Sequence, residues 1–315
     1  MSSPAPVLLA DVGGTHTRFA LLANSGRPER VVSWDNNDYA SLQDAITSYL
    51  AELEQRPQAA VLAVAGPITG REIALTNRSW HFNLDELAGR FGFSRIQAIN
   101  DFEAQAWALT QLQSGDYRNI GDNAGARSLP GVKVVLGPGT GLGVAALVPM
   151  GGAWQAVATE GGHVSFGAAH KDEEAVFARL HESGPVSAEM VVSGSGLPRL
   201  HGALHPATAP LTAAAIVAQA TAGDAMAGAT IKLFVRLLGR FAGDVALTFK
   251  ALGGVYIAGG VTGKLGPLFD EGIFRTAFEA HPPYADLLKT LPTYLITVAH
   301  PGLIGCGALA MAQRV

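Results

Sequence analysis

The sequence predicts an α/β protein of two related lobes, each of βββαβα type, facing each other across a cleft. Three observations carry that expectation. An apolar run, a glycine-rich turn and a second apolar run occur once at Val7 to Leu22, around Asp11-Val12-Gly13-Gly14-Thr15, and again at Val132 to Val148, around Gly137-Pro138-Gly139-Thr140-Gly141-Leu142-Gly143. Each repeat is followed by a further strand pattern and then a helical one, which suggests duplication. The chain has 315 residues, 48% hydrophobic and only 15% charged, enough for two buried cores and too apolar for disorder.

The elements follow in order. Strands flank Gly13-Gly14, a third spans Arg30 to Ser33, and Leu42, Ile46, Leu50 and Leu53 mark an amphipathic helix. Ala59 to Ala65 is a buried strand ended by Gly66-Pro67-Ile68-Thr69-Gly70. A short helix covers Leu84 to Arg90, and a strand over Arg95 to Ile99 leads through Asn100-Asp101 into a helix with Phe102, Ala106 and Leu109. That places Asp101 at or next to an N-cap. Residues 114–131 read as a linker or surface loop. After the second glycine hairpin come a strand at Trp154 to Ala158, a helix at Asp172 to His181, helical segments between Leu197 and Leu252, and strands at Val255 to Ala258 and Tyr294 to Ala299. The expected boundaries are 1–110 for a small lobe, with 302–315 returning to it, and 111–301 for a large lobe.

Both hairpin tips suit phosphate binding, because glycines let consecutive N–H groups approach an anion and the Thr15 and Thr140 hydroxyls add donors. Neither tip is a Walker A loop or a Rossmann fingerprint. A third glycine turn, Gly259-Gly260, follows the strand ending at Ala258, and its one-residue-short likeness to a P-loop ends in Leu265 where Ser or Thr is needed. The net charge of −4 gives no basic field for nucleic acid. Residues 134–159 carry no charge, but their glycines and prolines suit buried strands and turns better than a membrane span. No signal peptide is expected, and the single cysteine, Cys306, excludes an internal disulfide and a multi-cysteine zinc site. Cytoplasmic location is the resulting expectation.

In order and spacing, the two hairpin motifs, Gly66 to Gly70, Thr76-Asn77, Ile99-Asn100-Asp101-Phe102, Glu160-Gly161-Gly162-His163, Ser187-Ala188-Glu189 with Ser193-Gly194, and Ile257 to Gly260 resemble the bacterial glucokinase family. That family belongs to the hexokinase, actin and Hsp70 superfamily, whose lobes are actin-like (ribonuclease H-like). His16 and Pro138 depart from residues common in the family. The resemblance covers nearly the whole chain and favours the zinc-free branch, since related sugar kinases with a cysteine-rich zinc motif need cysteines this chain lacks. It implies ATP-dependent phosphorylation of D-glucose to glucose 6-phosphate with Mg2+, in a homodimer that binds neither nucleic acid nor membrane.

Within that reading Asp101 is the candidate general base, kept ionised at a helix start. Asp11 is the candidate that holds a water on Mg2+. Gly13, Gly14, Thr15, Gly139, Thr140, Gly141, Gly259 and Gly260 are the ATP candidates. A sugar presents hydroxyls that each donate and accept, so its pocket needs carboxylates, an amide and an imidazole. Asn100, Asp101, Glu160, His163 and Glu189 supply that set, with Thr69 and Asn77 shaping its edge. Taken singly, Glu160 reads as a solvated acid and His163 as a core histidine; their occurrence together across a Gly-Gly spacer reverses that balance. Three alternatives remain: a hexose kinase of broader specificity, a sugar-binding regulator of the same fold, and an actin- or Hsp70-like ATPase. The early first strand leaves no room for a helix-turn-helix module before it, and the Glu160 to His163 motif opposes the ATPase reading.

Overall fold

The computed structural model describes residues 6–22, 24–66, 68–75, 78–122 and 129–313. They divide into two compact units: residues 1–113, 154–158 and 298–315, and residues 114–153 and 159–297.

In the first unit, β1 (Val7–Val12), β2 (His16–Leu22) and β3 (Pro28–Asp35) form an antiparallel meander. α1 (Leu42–Ala51) leads to β4 (Ala59–Val64), and the ribbon β5 (Glu72–Ala74) and β6 (His81–Asn83) precedes α2 (Leu84–Phe91), β7 (Arg95–Asn100) and α3 (Asp101–Ala108). The sheet order is β3-β2-β1-β4-β7, with β4 parallel to β1 and β7 parallel to β4. Alternation along β1 explains the layers, because successive side chains of a strand point to opposite faces. Leu8, Ala10 and Val12 join a core with Ile46, Tyr49, Leu50 and Leu87 of α1 and α2. Val7 and Leu9 join the opposite core with Ala104 and with Leu303, Cys306 and Leu309 of the C-terminal helix Pro301–Ala312. A sheet buried on both faces explains why β1 and β4 read as continuous apolar runs.

The second unit begins with β8 (Tyr117–Asn119), inside the stretch expected to be a loop. The difference has a simple cause: Tyr117-Arg118-Asn119 has no strand pattern of its own and is a strand only because it pairs antiparallel with the far later β13 (Thr293–Ile296). β9 (Lys133–Pro138) and β10 (Leu142–Met150) form the second glycine hairpin. After β11 (Ala153–Thr159), whose residues 154–158 belong to the first unit, come α4 (Lys171–His181), α5 (Ala188–Val191), α6 (Gly196–Leu204), α7 (Ala213–Thr221) and the long α8 (Ala225–Phe249). β12 (Val255–Ile257), α9 (Gly260–Leu265), α10 (Glu271–Glu279) and α11 (Ala285–Thr290) lead to β13. Strand neighbours run β10-β9-β12-β13-β8. One core joins Val134 and Leu136 of β9 to Phe177 of α4, to Phe234, Leu238 and Phe241 of α8, and to Phe274 and Phe278 of α10. α8 is buried along most of its length, which fixes it as the rigid axis of this unit.

Candidate functional site

In the first unit the Gly13 to Thr15 turn closes the β1–β2 hairpin, with Gly13 N–H donating to His16 O at 3.1 Å. The turn is held from behind by Asn36, which is 1% exposed. Asn36 Nδ2 donates to Gly13 O and its Oδ1 accepts from Thr17 Oγ1, both at 2.8 Å, while its backbone N–H donates to Thr15 O at 2.9 Å. Arg78 in turn donates to Asn36 O and lies 4.7 Å over the Trp80 ring. Gly13 and Gly14 are half-buried and Thr15 is exposed, so the tip faces outward on a braced base.

Asp11, at the end of β1, is 20% exposed and pairs with Arg18 Nη1 at 3.2 Å. Burial pushes its carboxyl above the ordinary value, opposed by the Arg18 guanidinium and by His300. The start of the C-terminal helix presses on it from the other side: a Cβ at Gly302 would stand 3.3 Å from Asp11 Cγ. His300, which precedes this helix, adopts a left-handed φ of 56°, and burial lowers its pKa.

The strand-to-helix junction after β7 is built by Asn100. Its Oδ1 accepts from Phe102 N at 2.9 Å and Glu103 N at 3.2 Å, and its Nδ2 donates to Gly66 O at 3.1 Å. Asn100 is therefore the N-cap, and Asp101 is the first residue of α3. Asp101 Oδ1 accepts from Phe102 N at 3.0 Å, which holds its half-buried carboxylate against the helix start, where the dipole favours negative charge. Thr69 is exposed on the loop after β4. Asn77, with Thr76 and Pro67, lies outside the described residues.

In the second unit the tip of the β9–β10 hairpin closes through Gly139 N donating to Gly141 O at 2.8 Å. Gly194 N donates to Gly139 O at 2.8 Å and Ser195 Oγ to Thr140 O at 3.3 Å, so the Ser193-Gly194 segment straps the turn. Gly259, with φ of 92°, packs on the base of the same turn: a Cβ there would collide with Pro138 O, and one at Gly137 would collide with Ala258 O. These close backbone approaches are why both positions are glycine, and they bring the second and third glycine turns together. Gly260 then opens α9, so the third motif is strand, turn and helix rather than a hairpin.

Beside this turn sit the acids and the imidazole. Leu142 N donates to Glu189 Oε2 at 2.9 Å. His163 Nε2 lies 4.0 Å from that same oxygen and 3.8 Å from Glu160 Oε2. These two distances exceed hydrogen-bond range, and His163 and Glu160 are 59% and 66% exposed, so their polar atoms face solvent rather than each other. The Gly-Gly spacer has a steric origin: a Cβ at Gly162 would overlap Leu142 O.

The family model described as Glucokinase matches residues 8–313. The chain belongs to the glucokinase family. It is 41% identical to a glucokinase of Chelativorans sp., over 97% of this chain and 91% of that protein. It is also 41% identical to a "Bifunctional protein glk" of Burkholderia orbicola, over 98% of this chain, and it spans only 49% of that relative's length. The crystal structure of a glucokinase from an Antarctic psychrotroph has a TM-score of 0.88 at 34% identity, covering 98% of this chain and 99% of that one.

Within this glucokinase-family chain Glu160, His163 and Glu189 lie beside the Gly139 to Gly141 turn in one unit, while in the other the register of β1, β4 and β7 puts Asp11, the Gly13 to Thr15 turn and Asn100–Asp101 at the same end of the sheet. Sequence reasoning missed Asn36, whose role rests on contacts 19 and 23 residues away. It also missed Glu103, which burial raises one turn beyond the cap. Among the described residues no three His, Cys, Asp or Glu groups gather as a metal site. Mg2+ is commonly bound by one or two carboxylates together with substrate phosphates and water, and Asp11, at the end of β1 next to the first glycine turn, is a carboxylate of that kind.

Proposed function

We propose that this protein transfers the γ-phosphoryl group of ATP to the 6-hydroxyl of D-glucose. The observation that carries the reading is the Asn100–Asp101 junction: a carboxylate on the first turn of a helix, held by Phe102 N–H, in a chain matched by the glucokinase family from residue 8 to 313. Phosphoryl transfer asks the protein mainly for positioning and charge stabilisation, and for a group that takes the hydroxyl proton. Asp101 takes that proton as the sugar oxygen bonds to the γ-phosphorus; the bond to the β–γ bridging oxygen breaks and ADP leaves.

Glu160, His163 and Glu189 read sugar hydroxyls with Asn100, and Thr69 and Asn77 shape the edge. Gly13, Gly14, Thr15, Gly139, Thr140, Gly141, Gly259 and Gly260 receive the nucleotide through backbone N–H groups and threonine hydroxyls. Asp11 would hold Mg2+, which would supply charge neutralisation for the transferred phosphoryl group. The protein acts as a cytoplasmic homodimer. Its net charge of −4 gives no basic surface field for nucleic acid, and among the described residues no helix is long and apolar enough to cross a membrane.

The test is ADP release with ATP and Mg2+ against glucose, mannose, fructose, galactose and N-acetylated hexoses, for the native chain and for Asp101→Asn. Glucose should be preferred, and the variant should bind it while turning over roughly 10² to 10⁴ times more slowly, the range for loss of a general base. Equal rates across the panel would instead favour a broad hexose kinase. No sugar-dependent release would leave a regulator, and near-normal turnover by the variant would remove Asp101 as the base.

A further inference from the structure

The segment that follows Glu160–His163 is anchored to α8 by a buried charge cluster outside the site itself. Glu173, in the first turn of α4, has a side chain with 0% exposure. Its Oε2 accepts from Ala169 N at 2.9 Å and from Arg240 Nη1 at 2.7 Å. Arg240 Nη2 donates to Gly167 O at 2.5 Å, and its guanidinium carbon lies 4.4 Å from the centre of the Phe166 ring. Residues 166, 167 and 169 are thus each fixed by one guanidinium–carboxylate pair.

The neighbouring Arg236, one turn away on α8, does not do this. Its Nε lies 3.1 Å from Glu173 Oε1, yet the two are not aligned as a hydrogen bond, and its Nη1 is engaged at 2.8 Å by Asp172. On its other side the same segment pairs with the run into Glu189: Phe166 N donates to Val186 O at 2.9 Å and Ala188 N to Val164 O at 3.0 Å. Residues 164–169 therefore link both His163 and the run into Glu189 to Glu173 and Arg240.

We propose that Arg240 is a positioning residue for sugar recognition, setting the spacing of Glu160, His163 and Glu189 through the 164–169 segment. The inference rests on the reading of those three residues as sugar-binding. A buried ion pair often adds little net stability compared with an apolar replacement, so its value here lies in fixing one conformation. The fork and flat stacking face of Arg matter, because a Lys ammonium cannot bond Glu173 and Gly167 in the same planar geometry while covering Phe166.

The experiment compares native chain, Arg240→Lys and Arg236→Lys by amide hydrogen exchange and by steady-state kinetics. Arg240→Lys should speed exchange in residues 160–169 and raise the glucose KM about tenfold, the loss of one charged hydrogen bond, with kcat and the ATP KM within about twofold. Arg236→Lys should leave both readouts near native. Should Arg240→Lys fail to fold, Phe166→Leu removes the stacked ring without touching a charge and should move the glucose KM in the same direction. Unchanged exchange in 160–169, or equal losses in glucose and ATP kinetics, overturns the proposal in an active enzyme. A native chain that releases no ADP with glucose removes the functional reading and the sugar-positioning claim with it, a result distinct from an active enzyme indifferent to Arg240.

Discussion

Replacing Asn36 with alanine tests how the first glycine turn is built. The side chain makes two hydrogen bonds, from Thr17 Oγ1 and to Gly13 O, both at 2.8 Å. Thr17 is 1% exposed, so its hydroxyl loses its partner without access to water; Gly13 is half-buried, and water can partly replace the lost donor. One fully buried and one partly buried orphan at about 1–3 kcal/mol each give about 2–4 kcal/mol of destabilisation. The Gly13 to Thr15 tip should loosen with it. Urea unfolding measures the first effect and titration with a non-hydrolysable ATP analogue the second. A double-mutant cycle with Thr17→Val isolates the pair, because removing the Thr17 hydroxyl should cost less once Asn36 is gone. A loss under about 0.5 kcal/mol would refute the bond accounting. Lost stability with unchanged nucleotide affinity would remove the Asn36-braced turn from the nucleotide site.

The two hairpin-tip glycines of the second unit should respond differently. Nothing lies within 4 Å of a Cβ at Gly139, so Gly139→Val should fold normally and raise the ATP KM more than the glucose KM; a native nucleotide titration would count against this turn as an ATP contact. A Cβ at Gly141 would overlap the Glu189 carboxylate, so Gly141→Ala should displace Glu189 from Leu142 N–H and impair both substrates; loss confined to ATP would uncouple Glu189 from the turn. Because burial raises the Asp11 pKa, the native state holds a proton there at pH values where the unfolded chain has released it. That contribution to stability is present below the unfolded value of 3.8 and is lost as pH rises through the folded value. The stability of Asp11→Asn relative to native should therefore rise as pH rises through that window, and a flat difference in paired denaturation curves would contradict the direction. Cys306 is 0% exposed, lies 3.6 Å from Ala10 O, and burial pushes its thiol far up, so a thiol reagent should label it only as the first unit opens. Labelling at the rate of a free thiol in the native chain would show that this core is open.

What the sequence determined by itself is local. Glycine-rich turns between apolar runs marked the hairpin tips, and β1–β2 and β9–β10 are antiparallel pairs joined there. Asn100-Asp101 after an apolar strand announced a capped helix, and the structure resolves which of the two caps it. The family likeness was legible for the same reason, since its motifs are short and contiguous. Tertiary structure decided what depends on distant partners. Tyr117 to Asn119 is a strand only because Thr293 to Ile296 offers an edge, and Asn36 braces a turn it follows by some twenty residues. Glu189 meets Leu142 across 47 positions and Arg240 meets Gly167 across 73. A hydrogen bond depends on distance and angle in space, and neither is encoded in the spacing of residues until the chain between them has folded.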